Sequence, residues 1–233
     1  LRVVIVSLLV LVGGCGDEAV AGYVCEGPSD QCVDPISPPV VASPSVWLAA
    51  SRHDESITVV AYDSSLRALH SYDWRSNALV PTHRISANGP DLNRGQYPAL
   101  ATGPYGTLHA AYYDAVSTDI RRARLSGDNW IELDGVVDGG DSHVGTWLSL
   151  DIDAAGGWHL AYRDETSAAL RIASIDAENA GCHGKDGPSS PLLVTAQDMA
   201  DAGWPSGDFG THTSLGVLKD GRLAVSYYAV SYT

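Results

Sequence analysis

The chain has 233 residues and a formal net charge of −14, because 28 Asp and Glu outnumber 14 Lys and Arg. Hydrophobic residues make up 45% of it, which is enough for a sizeable core. The acidity argues against a nucleic-acid-binding protein, since phosphate binding requires clustered Lys and Arg. Calcium, cationic surfaces and neutral sugars remain as candidate partners.

Residues 1–15 have the pattern of an export signal. Arg2 precedes a largely apolar run from Val3 to Val12, which is too short for a bilayer that takes about 20 residues to span. The ending Gly13-Gly14-Cys15 resembles the lipobox of bacterial lipoproteins, which implies a lipidated Cys15. The next residue is Gly16, as in lipoproteins sorted to the outer membrane. We therefore expect a lipid-anchored protein of the bacterial cell envelope; an ordinary signal peptide with an incidental Cys is the alternative.

Residues 16–45 have no periodic apolar pattern and predict a linker. Cys25 and Cys32 enclose six residues, and an exported location favours a disulfide between them. Four prolines follow within ten positions and predict an extended, semi-rigid spacer. Cys182 is left over, either as a free thiol or as half of a bridge to sequence outside this chain.

A motif with a period near fifty residues organises the remainder. His109-Ala110-Ala111-Tyr112-Tyr113-Asp114 returns as His159–Asp164, and looser copies lie at Thr58–Asp63 and Ala224–Ala229. A short apolar segment and a turn precede each copy, which predicts a β-hairpin of strands A and B. Two further β-rich segments follow in the second copy and predict strands C and D. Four-stranded antiparallel sheets repeated at this period are typical of β-propeller blades.

The all-β repeat region spans residues 46–233. We predict blades at 46–93, 94–144 and 145–210 and a partial blade at 211–233. Because the fourth copy ends shortly after strand B, we expect an incomplete propeller with further blades beyond this sequence. The alternative is that the N-terminal segment supplies the missing strands.

The repeats resemble the sialidase-like group of β-propellers over residues 46–233. Ser126-Gly127-Asp128-Asn129-Trp130 resembles the Asp-box turn Ser-x-Asp-x-Gly-x-x-Trp, which such propellers carry between strands C and D; the glycine and the spacing depart from that pattern. The resemblance implies a sialidase-like glycoside hydrolase or lyase as one function. Neither the arginine triad nor the Tyr/Glu pair of true sialidases can be assigned here, and no catalytic residue is predicted.

Candidate ligand-binding residues converge on one face of the predicted propeller. Strand B ends in an Asp in three repeats, and that end lies beside the connections from strand D to the next strand A. Acids and aromatic rings together suit sugar binding through stacking and hydroxyl hydrogen bonds. The alternative is that each Asp caps its own turn. The predicted binding residues are Asp63, Asp114, Asp164, Tyr97, His143, Trp147 and His212.

The sequence predicts no metal site and no cofactor. His109 and His159 recur, but their apolar neighbours favour structural histidines bonded to a neighbouring blade. Asp151-Ile152-Asp153 has half the pattern of a calcium loop, so calcium is kept as the alternative there.

Three functions follow as hypotheses. The first is an exported, lipid-anchored propeller that binds a carbohydrate or a surface protein without catalysis. The second is a sialidase-like glycoside hydrolase or lyase whose remaining residues lie beyond Thr233. The third is a scaffold that binds no small ligand.

Overall fold

The computed structural model describes residues 47–53, 55–86, 91–133, 136–138, 141–175, 192–194 and 207–231. The predictions for the export signal, the linker, Cys15, Cys25, Cys32 and Cys182 lie outside these residues. Within these ranges, no helix is long and apolar enough to cross a membrane.

Within the described residues, fourteen strands form four antiparallel sheets in chain order. The first sheet contains β1 (Leu48–His53), β2 (Ser56–Asp63), β3 (Ala68–Arg75) and β4 (Ala78–Arg84). The second contains β5 (Arg94–Thr102), β6 (Leu108–Asp114), β7 (Asp119–Ser126) and β8 (Asn129–Leu133). The third contains β9 (Val144–Ile152), β10 (Trp158–Asp164), β11 (Ala169–Ile175) and β12 (Leu192–Val194). The described part of the fourth contains β13 (Gly207–Val217) and β14 (Leu223–Ser231).

This arrangement confirms the predicted β-propeller of four-stranded antiparallel blades. Neighbours in sequence are neighbours in each sheet, and the first strands of successive sheets, β1, β5, β9 and β13, pack against one another. β9 and β13 begin slightly before the repeat starts predicted at 145 and 211. The Asp-box-like segment forms the turn between β7 and β8, the strands C and D of its sheet.

The core lies between adjacent sheets. Ala111 and Ile120 of the second sheet pack with Leu160 and Tyr162 of the third in one buried cluster. Strand B is apolar on one face and small on the other, as the sequence indicates, because both faces are covered by neighbouring sheets. The same packing joins the first and second sheets through Val60, Leu69, Tyr112 and Ala123.

A glycine at the start of strand A sets the distance between sheets. Gly95, Gly145 and Gly210 have φ values of 120°, 109° and 88°, which L side chains rarely adopt. A Cβ on Gly145 would lie 2.4 Å from Cγ1 of Ile120 in the preceding sheet, and a Cβ on Gly95 would lie 2.7 Å from Cβ of Leu69. Only glycine permits this close approach at these positions.

The two recurrent histidines have different partners. The His109 ring lies edge-on to Trp158 of the next sheet, with ring centroids 4.9 Å apart. His159 instead hydrogen-bonds within its own sheet, through Nε2 to Asp153 at 3.0 Å and through Nδ1 to Ser174 at 2.9 Å. The expectation of a bond to a neighbouring blade is therefore wrong for His159, because the carboxylate of its own A-to-B turn lies within reach.

Burial determines the charge of His109. Its Nδ1 is buried and has no hydrogen-bond partner among the described residues. Burial, assisted by the positive charge of Arg124, lowers the pKa of His109 to about 4. The ring is therefore neutral in the folded protein at neutral pH.

We expect the Gly145→Ala variant to lower the free energy of unfolding by about 3 kcal/mol, through the clash with Ile120 and the positive φ. Urea unfolding of the full chain measures this change. Gly127→Ala is the matched control, because Gly127 has a φ of 58° but nothing within 4 Å of its added Cβ. It should cost only about 1 kcal/mol. Equal losses in the two variants would contradict a packing role for Gly145.

We also expect the protein to lose stability as pH falls from about 6.5 toward 4. The pKa of His109 rises from about 4 to its ordinary 6.5 on unfolding, so the unfolded chain binds more protons in that window. Between pH 7 and pH 5 this one residue should account for about 2 kcal/mol of lost stability. Urea unfolding at both pH values should show a smaller loss in His109→Phe, whereas an unchanged loss would rule out this role.

Candidate functional site

Four aromatic rings, one from each sheet, lie in a row where the first strands begin. They are Trp47, Tyr97, Trp147 and His212, and we call them the aromatic array. Successive ring centroids are 4.9 Å, 5.5 Å and 3.9 Å apart. Contacts in this range let each ring support the next and present a continuous aromatic surface.

A β-bulge in strand A orients three of these rings. Tyr97, Trp147 and His212 have φ values of 46°, 53° and 51°. In the second sheet the register shifts so that Tyr97 and Pro98 together oppose Tyr112, and the third and fourth sheets shift at the same place. A bulge of this kind re-aims a side chain, and here it turns each ring toward its neighbours.

The array lines an open cavity of about 150 Å³. Trp47, Tyr97 and Trp147 are half-buried and His212 is exposed, so the rings are accessible to a ligand. The lining is completed by the residue after each ring: Leu48, Pro98, Leu148 and Thr213. This is below the range of about 300 to 1,000 Å³ that enclosed small-molecule sites occupy, so the array is an open surface and not an enclosed pocket.

A carboxylate lies beside the array. Glu165 Oε1 accepts a hydrogen bond from Thr146 Oγ1 at 2.6 Å, and Oε2 accepts one from Arg163 Nε at 2.8 Å. Burial and then the negative charge of Glu165 raise the pKa values of Tyr97 and Tyr113. Both phenols therefore stay protonated and can donate hydrogen bonds close to an anionic acceptor.

The sequence predicted three members of the array, Tyr97, Trp147 and His212, but not Trp47, and it did not predict the neighbouring Tyr228 and Glu165. Trp47 lies fifty residues before Tyr97, as Tyr97 does before Trp147, and this spacing was the available signal. Tyr228 packs edge-on to His212 at 6.0 Å and extends the aromatic surface. Glu165 has no recurring counterpart, so the repeat pattern could not reveal it.

The three predicted Asp residues cap their own turns. In Asp63, Asp114 and Asp164, Oδ1 accepts the backbone N–H groups of the second and third residues that follow, at 2.8 to 3.4 Å. Their exposures are 5%, 1% and 0%. The capping alternative therefore explains these contacts, and the three carboxylates do not line the cavity of the array.

Arginines bind the second oxygen of two of these carboxylates. Asp114 Oδ2 accepts hydrogen bonds from Arg94 at 2.8 Å and Arg121 at 3.3 Å, and Asp164 Oδ2 accepts one from Arg171 at 2.6 Å. Burial acts to raise the pKa of Asp164, but hydrogen bonds from Ser167 and Arg171 outweigh it and leave the pKa below its ordinary value. Asp164 is therefore ionised and fully engaged.

His143 lies at the exposed connection before β9, apart from the residues that line the cavity. Its N–H donates to Thr166 Oγ1 at 2.9 Å, and its carbonyl accepts from Glu165 N–H at 2.9 Å. The structure thus brings Tyr97, Trp147 and His212 together and places His143 outside that group.

No group of three metal-binding side chains occurs in the part of the chain that the structure describes. In the half calcium loop, Asp153 Oδ1 accepts the N–H groups of Ala155 and Gly157, each at 2.8 Å. Asp151 Oδ2 accepts the N–H of Val217 in the next sheet at 2.7 Å. These hydrogen bonds give both carboxylates a structural role.

No protein-family model and no curated protein matches this chain. Solved structures do match its fold. A protein of unknown function from Dyadobacter fermentans has a TM-score of 0.52 at 13% identity, over 78% of this chain and 48% of that one. An exo-β-1,3-galactanase from Phanerochaete chrysosporium, solved with β-1,3-galactotriose, has a TM-score of 0.51 at 9% identity, over 80% and 43%. A fucose-specific lectin from Aleuria aurantia has a TM-score of 0.48 at 12% identity, over 79% and 60%.

These likenesses are of fold alone, because the identities are so low. The chain spans about three fifths of the lectin and less than half of the other two proteins. The ligand therefore has to be argued from the residues of the site.

We expect Asp164→Ala to lower the free energy of unfolding by about 3 kcal/mol, because it removes a turn cap and a buried partner of Arg171. Asp220→Ala is the matched control, since the Asp220–Arg222 pair lies on the surface. Its effect should be much smaller, because solvent screens an exposed ion pair. Asp164 contributes this stability above its ordinary pKa of 3.8 and loses it as pH falls below that value. Equal stability of Asp164→Ala and the wild type in urea would contradict the capping role.

Proposed function

We propose that this β-propeller binds carbohydrate on the aromatic array without catalysing a reaction. The proposal rests on the row of four rings, whose successive centroids are 3.9 to 5.5 Å apart. The apolar C–H face of a pyranose stacks on an aromatic ring, and the array repeats that platform from sheet to sheet. A ligand with several sugar units in a row matches this arrangement better than a single sugar does.

Polar groups at the edge of the array support the same ligand class. Glu165 offers carboxylate oxygens, and Tyr97 and Tyr113 offer phenol hydroxyls whose pKa values are raised. Sugar hydroxyl groups can donate hydrogen bonds to the carboxylate and accept them from the phenols. A few such groups beside an apolar platform provide orientation and specificity.

The carboxylates that end strand B favour binding over glycoside hydrolysis. Hydrolysis uses a pair of carboxyl groups, one of them a general acid with a raised pKa. Asp114 and Asp164 have lowered pKa values and are held by backbone N–H groups and arginines. Glu165 acts on Tyr97 through its charge, and no pair of carboxylates lines the cavity of the array in the described structure, so the sialidase-like hydrolase has less support.

The proposal includes the cell envelope as the location. It is supported by the apolar run and by the lipobox-like ending at Cys15. A lipid-anchored propeller on a linker of about thirty residues would meet envelope or environmental polysaccharides. A glycan on a surface protein would offer the same chemistry.

We expect the full chain to bind at least one trisaccharide from a panel of β-1,3-linked galactose, β-1,3-linked glucose and β-1,4-linked glucose, measured by isothermal titration calorimetry. β-1,3-Galactotriose is included because it occupies a solved propeller of similar fold. Trp147→Ala should weaken that binding about tenfold or more, because it removes a central stacking platform.

Trp74→Ala is the matched control, because Trp74 is 45% exposed on β3 and lies outside the array. It should leave the affinity unchanged. Equal affinity in Trp147→Ala and Trp74→Ala, at unchanged melting temperatures, would refute the array as the binding site. Failure of the wild type to bind any of the three trisaccharides would refute the ligand class.

A further inference from the structure

A second cavity of about 140 Å³ lies between the first and second sheets and shares no residue with the array. It is at the opposite end of the strands, where β2 begins and where β3 and β7 end. Its lining includes polar side chains of the first sheet, among them Thr58, Ser71, Asp73 and Thr82, together with Asp128 and Trp130 of the second.

The corresponding space between the second and third sheets is filled. Arg122 places its guanidinium carbon 5.3 Å from the centroid of the Trp158 ring, and His109 packs on the edge of the same ring. Arg122 is 6% exposed and Trp158 is 1% exposed. Three large side chains thus occupy the volume between these two sheets.

Smaller residues hold the same positions at the boundary of the first and second sheets. Thr58 lies five residues before the Asp that ends strand B of the first sheet, as His109 does in the second sheet. Leu108 lies six residues before that Asp in the second sheet, as Trp158 does in the third. Ser71 corresponds to Arg122, because each pairs with the residue three before that Asp. Replacement of a histidine, an arginine and a tryptophan by these smaller side chains opens the groove.

Hydroxyl groups and the Asp73 carboxylate form the polar wall that the first sheet contributes to the groove. Ser71 Oγ and Thr82 Oγ1 are 2.8 Å apart, and Thr58 Oγ1 donates to Asp73 Oδ1 at 3.2 Å. Arg75 donates to Asp73 Oδ2 at 2.5 Å, so the carboxylate is matched by a cation. Alternating donors and acceptors, with the Asp73 charge paired to Arg75, suit a polyhydroxylated ligand.

An indole forms another wall. Trp130 is half-buried at the start of β8, where it packs against the cluster shared by the first two sheets. The adjoining turn adds little bulk, because nothing lies within 4 Å of a Cβ placed on Gly127. An aromatic wall facing hydroxyls and a carboxylate is the pattern by which proteins hold one face of a pyranose and its hydroxyl edge.

We propose that the groove between the first and second sheets binds a single neutral pyranose unit, as a second carbohydrate site that does not depend on the array. Trp130 supplies the stacking surface. Asp73, Ser71 and Thr82 hydrogen-bond the hydroxyl groups. The filled boundary between the second and third sheets provides no equivalent site.

The test is titration of the full chain with D-galactose, D-glucose and N-acetyl-D-glucosamine, followed by isothermal titration calorimetry. At least one of these monosaccharides should bind. Asp73→Asn and Trp130→Ala should each weaken that binding about tenfold, through a lost charged acceptor and a lost stacking surface. Trp147→Ala in the array is the control and should leave the affinity unchanged, which separates this proposal from that for the array.

A second measurement uses the wild-type protein and so does not depend on the folding of a variant. The indole N–H signal of Trp130, assigned by its loss in Trp130→Phe, should shift on addition of the bound monosaccharide in ¹⁵N-resolved NMR spectra. The proposal is overturned if none of the three sugars binds. It is also overturned if the bound sugar leaves the Trp130 signal in place, or if Trp147→Ala alone removes the binding.

Discussion

One backbone hydrogen bond, repeated between successive sheets, underlies the remainder of this fold. The N–H at or near the start of strand A donates to the carbonyl of the last residue in the B-to-C loop of the preceding sheet. The distance is 3.1 Å from Arg94 to Arg67, 3.0 Å from Val144 to Thr118 and 3.1 Å from Phe209 to Ala168. The next residue is always the glycine that packs on strand C of that sheet. The glycine holds strand A close to the preceding sheet. The bulge begins a few residues later in strand A, and its extra residue turns an aromatic ring out of the sheet.

The buried Asp residues support the same junction from the other side. Each caps the loop whose last carbonyl accepts the bond between sheets, and those last residues, Arg67, Thr118 and Ala168, have φ values of 52°, 62° and 53°. A non-glycine residue in this region carries a strain cost, which the Asp hydrogen bonds to the loop offset. Asp164 therefore positions the strand that carries His212 without touching the cavity. The recurrence that suggested a binding role for these acids reflects a repeated structural constraint.

The fold was more predictable from the sequence than the sites were. The recurring strand B motif identifies strands, turns and the two-faced packing, because burial of both faces leaves a periodic trace in one sequence. Tyr97, Trp147 and His212 were likewise recognised as a group by their place before strand A. Whether Asp114 faces a turn or a ligand depends on a side-chain rotamer, which no periodicity encodes. The groove depends on the sizes of Ser71 and Leu108, which belong to different sheets, so it becomes visible only when the sheets are packed.

The same backbone thus supports two kinds of surface for different physical reasons. Bulge positions retain an aromatic ring in the second, third and fourth sheets, and Trp47 precedes strand A of the first, so weak stacking contacts recur along a line. Successive units of one chain-like ligand then bind at a high effective concentration. The position held by Ser71, Arg122 and Ile172 in successive sheets varies in size and charge, because neither the glycine contact nor the bond between sheets involves it. A groove opened by such variation at the boundary of the first and second sheets gains nothing from ligand length. On these proposals, affinity should depend on the number of sugar units at the array and on the hydroxyl pattern of one unit at the groove.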